Sequence, residues 1–134
     1  MAKILLIDDD KQVLEVVTSF LERERHEIST AADGKQGISL LKNRQFDLVI
    51  TDVIMPEQDG LEVLMWLKLN KQSCQPKVIA ISGGAASLDL NGLLNMCRLL
   101  SADKVLPKPV DFETLSTAVR EVLESGVEGY QKQA

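Results

Sequence analysis

The stretch Ile4-Leu5-Leu6-Ile7-Asp8-Asp9-Asp10 runs four apolar residues straight into three acids. A short continuous apolar run suits a strand covered on both faces, because alternate side chains point to opposite sides of a sheet and here both sets are apolar. Three adjacent carboxylates repel one another and are costly to desolvate unless something positive sits among them. A buried strand with such an ending points to a cation, and the rest of the chain must supply the matching parts.

Outward from this stretch, Asp10 can cap a helix running from Lys11 to about Glu24, whose Val13, Leu14, Val17, Phe20 and Leu21 form one apolar stripe. Glu27 to Ala32 is a weaker strand, and the Asp33-Gly34 pair turns into a helix through Ile38, Leu40 and Leu41. Phe46 to Thr51 is a third strand ending in Asp52. A loop with Pro56, Asp59 and Gly60 then leads to a helix over 61–69. Lys77 to Ser82 is the fourth strand, followed by Gly83-Gly84, a loop, and a helical stripe of Leu90, Leu93, Leu94 and Cys97 to about Leu100. Lys104 to Leu106 is a short fifth strand. After Pro107-Lys108-Pro109, Asp111 caps a last helix with Phe112, Leu115, Val119, Val122 and Leu123 facing inward, and Gly126 is expected to stop it.

Five strands, each followed by a helix, predict an α/β domain with a parallel sheet and helices on both faces. The expected domain covers 1–125, with a polar, frayed C-terminal tail over 126–134. A chain of 134 residues buries roughly 68% of the surface its unfolded form exposes, enough for a core without staples. It has neither a run of about 18 apolar residues nor a signal segment, which predicts a cytoplasmic protein with no membrane partner. Cys74 and Cys97 lie in separate segments and are expected to be reduced. The single histidine, His26, leaves no Cys/His set for zinc or haem and reads as a solvated residue at a helix end. A net charge of −5 with 15 scattered Lys and Arg argues against direct nucleic-acid binding by this domain.

Ligands of open α/β sheets bind outside the carboxyl ends of the strands. The reactive side chains fall there: Asp8 and Asp9 after strand one, Asp52 after strand three, Ser82 after strand four and Lys108 after strand five. Three carboxylates aimed at one pocket suit Mg²⁺, which takes a few carboxylates, keeps waters and leaves room for phosphate oxygens. A carboxylate is ionised at neutral pH, so Asp52 could attack phosphorus without a general base. Phosphoryl transfer then needs positioning and neutralised charge, which a metal, an ammonium and a hydroxyl supply. Taken singly, these residues are unremarkable. Asp10 reads as a helix cap, Asp8 and Asp9 as loop acids as readily as ligands, Asp52 as a turn residue and Lys108 as a surface lysine. Their joint placement at successive strand ends gives the chemical reading its weight.

With these residues in hand, the chain resembles the receiver domain of two-component response regulators. The matching segments are "ILLIDDD" (4–10), "FDLVITDVIMPEQDG" (46–60), "VIAISGG" (78–84) and "ADKVLPKPV" (102–110). The resemblance implies a flavodoxin-like sheet of strand order 2-1-3-4-5. It implies that Asp52 accepts a phosphoryl group from the phosphohistidine of a sensor histidine kinase or phosphotransfer protein. It further implies that Asp9 and Asp52 ligate Mg²⁺ directly, that Asp8 acts mostly through water, and that the backbone carbonyl of Ile54 completes the protein ligands. Ser82 would swing its hydroxyl toward the phosphoryl oxygens, Lys108 would pair with them, the backbone N–H of Gly83 would reach them, and the Lys108-Pro109 peptide would be cis.

The chain departs from the family pattern at Val105, where an aromatic switch residue is common, and in a longer segment between Ser82 and Lys108. Met96 and Leu99 are candidates for a contact surface used by a downstream partner or a second copy in a homodimer, although core packing competes with that reading; Trp66 reads chiefly as core. The resemblance implies a signalling module that catalyses only its own phosphorylation and slow hydrolysis rather than a metabolic enzyme, and with Ile54 and Gly84 flanking the site, no polar side chain there orients water, which predicts slow autodephosphorylation. An aspartyl-nucleophile phosphohydrolase usually needs a second acid two residues after the nucleophile, where this chain has Ile54. A docking module without phosphorylation is the other alternative, and a flavin-binding protein fails because three acids would repel its phosphate. Without room for an output domain, the sequence fits either a stand-alone receiver or one cut from a longer regulator.

Overall fold

The computed structural model describes residues 1–52, 59–70, 75–82, 102–107 and 110–133. Five strands, β1 (Lys3–Ile7), β2 (Glu27–Ala31), β3 (Leu48–Asp52), β4 (Lys77–Ser82) and β5 (Lys104–Pro107), form one sheet in the order β2-β1-β3-β4-β5. All neighbours are parallel. Four helices lie among the described residues: α1 (Lys11–Arg23), α2 (Gly34–Asn43), α3 (Asp59–Leu69) and α4 (Phe112–Gln133). The expected α/β class and strand order are therefore the ones observed. The helix expected near Leu90 to Leu100, with Met96, Cys97 and Leu99, lies outside the described residues, as does Cys74.

The apolar run of β1 is explained by its two covered faces. Leu5 and Ile7 join Val49, Val78 and Ala80 in a core with Leu41 of α2 and Val63, Leu64 and Leu67 of α3. Ile4 and Leu6 join Leu48, Ile50, Ile79 and Leu106 in a second core with Leu21 of α1 and Leu115, Val119 and Val122 of α4. Neighbouring residues of one strand thus belong to opposite cores, as the two-residue period of a strand requires. Trp66 is half-buried against the first core, in keeping with its core reading, and Val105 packs against the same core. Close approach of α2 depends on Gly37, where an added Cβ would stand 2.5 Å from Ile7 Cδ1.

Aspartates begin three of the helices. Asp10 Oδ1 accepts the Gln12 N–H at 2.9 Å and Asp33 Oδ1 accepts the Gln36 N–H at 2.8 Å. Gln36 Oε1 in turn accepts the Ala32 N–H, so two backbone donors at the start of α2 are satisfied by one reciprocal pair. Asp111 Oδ1 accepts the Thr114 N–H at 2.7 Å, and these bonds to the backbone and side chain of Thr114 hold its carboxyl below the ordinary range.

Two expectations are corrected at the last helix. Gly126 does not stop α4, which continues to Gln133. Gly126 and Gly129 both lie within the helix, each at a cost of only about 1 kcal/mol relative to alanine, the following residues contain no proline, and no described glycine adopts the positive φ of a helix-ending turn. Phe112 does not face inward. It is 44% exposed and stacks on Phe20 of α1, with ring centroids 4.5 Å apart.

Candidate functional site

The site is built where β1 and β3 end side by side. The register pairs Ile7 with Thr51, so the residues that follow, Asp8 and Asp52, emerge together at the carboxyl edge. Here the chain order reverses: β1 leads to β2 on one side and lies against β3 on the other. That is the crevice in which open α/β sheets hold ligands. Asp8 continues the pairing with β2, its N–H donating to Ala31 O at 3.1 Å, and its Oδ1 accepts the Asp10 N–H at 2.9 Å. The second bond ties the carboxylate to the turn that starts α1.

Carboxylate oxygens of Asp8, Asp9 and Asp52 all lie within 4.8 Å of one another. Asp8 and Asp52 are buried, 3% and 4% exposed, and Asp9 is open to solvent. Two like charges at such a separation repel by roughly 3–4 kcal/mol at an effective dielectric near 20, against a total domain stability of about 5–15 kcal/mol. A cation among them would offset that repulsion. The donor set is three hard oxygens with neither sulfur nor imidazole, which fits Mg²⁺ rather than a softer metal. The opening question of the sequence, why a buried strand ends in acids, has its geometric counterpart in this cluster.

The other expected site residues fall as follows. Ser82 ends β4, with its backbone beside Pro107 of β5 and one residue beyond Ile81, the register partner of Asp52; its side chain lies outside the described residues. Lys108, Pro109, Ile54, Gly83 and Gly84 are also outside them. Lys108 directly follows Pro107, the last residue of β5. Asp10 is the cap of α1, as its place before the apolar stripe indicated.

Sequence reasoning missed one surface feature between the first and last helices. Val16, 50% exposed, and Phe112 sit on the helices that leave the edge from β1 and β5, and with Phe20 they form a partly apolar groove. Val16 lies outside the core-facing stripe of α1, and that was the available signal.

The fold is that of a receiver domain, and the comparisons agree. The chain belongs to the response regulator receiver domain family, whose pattern matches residues 4–120. It is 36% identical over 124 residues to the transcriptional regulatory protein CpxR of Escherichia coli K12, a match covering 92% of this chain and 50% of that one. It is 31% identical over 126 residues to the transcriptional regulatory protein AfsQ1 of Streptomyces coelicolor, covering 94% and 53%. The chain spans about half the length of the curated relatives it matches. Among solved structures it is similar to the chemotaxis protein CheY4 of Vibrio cholerae, with a TM-score of 0.80 and 26% identity over 91% of this chain and 98% of that one. No helix among the described residues is long and apolar enough to cross a membrane.

Proposed function

We propose that this receiver is a cytoplasmic phosphorylation switch in which Asp52 takes a phosphoryl group from the phosphohistidine of a sensor kinase or phosphotransfer protein. The observation that carries the reading is the convergence of Asp8, Asp9 and Asp52 at the β1/β3 crevice. In the transfer, an Asp52 carboxylate oxygen forms a bond to phosphorus as the P–N bond of the phosphohistidine breaks, and the electron pair returns to the imidazole nitrogen. Asp8, Asp9, Asp52 and the Ile54 backbone carbonyl would hold Mg²⁺. When bound, that ion supplies charge neutralisation for the phosphoryl oxygens. Lys108 gives an ammonium to the same oxygens, Ser82 a hydroxyl, and Gly83 a backbone N–H. Hydrolysis of the acyl phosphate restores the carboxylate. With Ile54 and Gly84 offering no polar side chain to orient water, that return is slow.

The relatives that include a further half are described as transcriptional regulators; phosphorylation here would alter affinity for an output segment, a downstream protein or a second copy.

Intact-protein mass after incubation with acetyl phosphate and Mg²⁺ tests the reading, beside Asp52→Asn and an EDTA control. A gain of one phosphoryl group that requires both Asp52 and the metal is expected. No gain, together with no binding of beryllofluoride, would overturn it.

A further inference from the structure

The amino edge of the sheet holds a titratable group that the phosphorylation chemistry does not use. His26 is the only histidine of the chain. It closes a tight turn after α1, in which Glu24 and His26 N–H groups both donate to Leu21 O, at 3.0 and 3.2 Å, and the Arg25 N–H donates to Glu22 O at 2.9 Å. Arg25 adopts the left-handed region, with φ of 69°, a conformation costing a non-glycine residue about 1 kcal/mol or more. The turn carries the imidazole against the start of β1. There Nδ1 accepts the Ala2 N–H at 3.2 Å, while Ala2 O accepts the Glu27 N–H at 2.9 Å. Ala2 is buried, so its N–H has little recourse to water.

A ring nitrogen that accepts a hydrogen bond carries no proton, so this geometry requires a neutral imidazole with its hydrogen on Nε2. Protonation would set one N–H against another. The sequence reading of a solvated histidine is thus corrected: the ring is part-buried and bonded to the main chain.

Charged groups face the ring from each neighbouring element. Glu24 ends α1, Glu27 begins β2, the terminal amino group lies just before β1, and Arg120 and Glu124 of α4 line a cleft of about 430 Å³ with it. Glu24 is itself engaged, accepting the Ser116 O–H at 2.7 Å. Partial burial holds His26 below its ordinary value, with the Glu24 carboxylate opposing and the terminal amino group reinforcing that direction.

We propose that His26 is a pH-sensitive clasp: its neutral ring fixes the start of β1 to the α1–β2 turn, and protonation in mildly acidic solution releases that end of the strand. An unfolded histidine titrates near 6.5, above the folded ring. The contribution of the clasp is therefore complete above about pH 6.5 and is lost as pH falls through the folded value.

The test uses the full chain. Nitrogen-15 NMR of the ring reads tautomer and midpoint, and hydrogen exchange of the Glu27 amide, corrected for intrinsic pH dependence, reads release of the edge. The Nε2–H tautomer and a midpoint below 6.5 are expected. Exchange should accelerate on acidification by up to about tenfold for each unit by which the midpoint lies below 6.5. His26→Asn keeps an acceptor near the position of Nδ1 without titrating, and its exchange should stay flat over the same range. A ring protonated on Nδ1, a midpoint at or above 6.5, or a wild-type slope in the Asn variant would overturn the proposal. The first two outcomes need no variant to fold.

Discussion

Aspartates mark both edges of the sheet, yet the two edges use them differently. At the amino edge they stand apart, each serving a strand start. Asp47 Oδ2 accepts the Lys3 N–H and Asp103 Oδ2 accepts the Val78 N–H, each at 2.7 Å. At the carboxyl edge Asp8, Asp9 and Asp52 crowd within 4.8 Å. At the amino edge each of these carboxylates meets a backbone donor of its own near a strand start, Lys3 of β1 and Val78 of β4. At the carboxyl edge three carboxylates share one crevice. Among them Asp8 accepts the Asp10 N–H at the start of α1. The same residue type therefore serves strand starts singly at one end and gathers in a cluster at the other.

The sharpest way to break this contrast is Asp52→Asn. Phosphoryl incorporation from acetyl phosphate should vanish, while the melting temperature measured without metal should rise, because a like charge leaves the cluster. Adding Mg²⁺ should then stabilise the wild type more than the variant. A variant that loses stability in metal-free buffer would mean that the three acids do not repel one another in the fold.

Between the edges, Gly37→Ala tests the close packing that lets β1 run apolar on both faces. The new Cβ would meet Ile7 Cδ1 at 2.5 Å and Cγ1 at 3.2 Å, and Ile7 is fully buried. Overpacking should cost about 2 kcal/mol in urea unfolding, net of the gain in helix propensity. An unchanged midpoint would show that Ile7 has room to move. At the amino edge, Asp103→Ala should cost about 1 kcal/mol by removing the acceptor of the Val78 N–H, with phosphorylation unaffected. Reduced phosphorylation in that variant would blur the division between the edges. Asp33→Ala has the smallest expected effect, about 0.5–1 kcal/mol from loss of the α2 cap, and circular dichroism across a thermal melt would detect it.

Much of this was legible in the chain itself. The unbroken apolar run of β1 announced a strand buried on two sides, and the acids after β1 and β3 announced a shared pocket once strand order was inferred. Asp10 was readable as a cap because it stands directly before an amphipathic stripe. Other features were illegible for identifiable reasons. A glycine followed by polar residues looks like a helix stop, yet whether α4 ends there is set by the balance of its last turns rather than by one residue. Phe112 carries the same apolar signal whether it faces a core or stacks on Phe20 at the surface. His26 showed nothing in its local context, because its partner lies 24 residues away in the sequence.

The sequence alone determined the alternation of strands and helices, the apolar faces, the helix caps and the types of the chemical residues, all of which rest on periodicity and on groups within a few positions of one another. Only the tertiary structure decided which of the acids meet, which serve as strand caps, and that one imidazole ties β1 to the turn after α1. Those outcomes depend on register, which arises when distant strands pair.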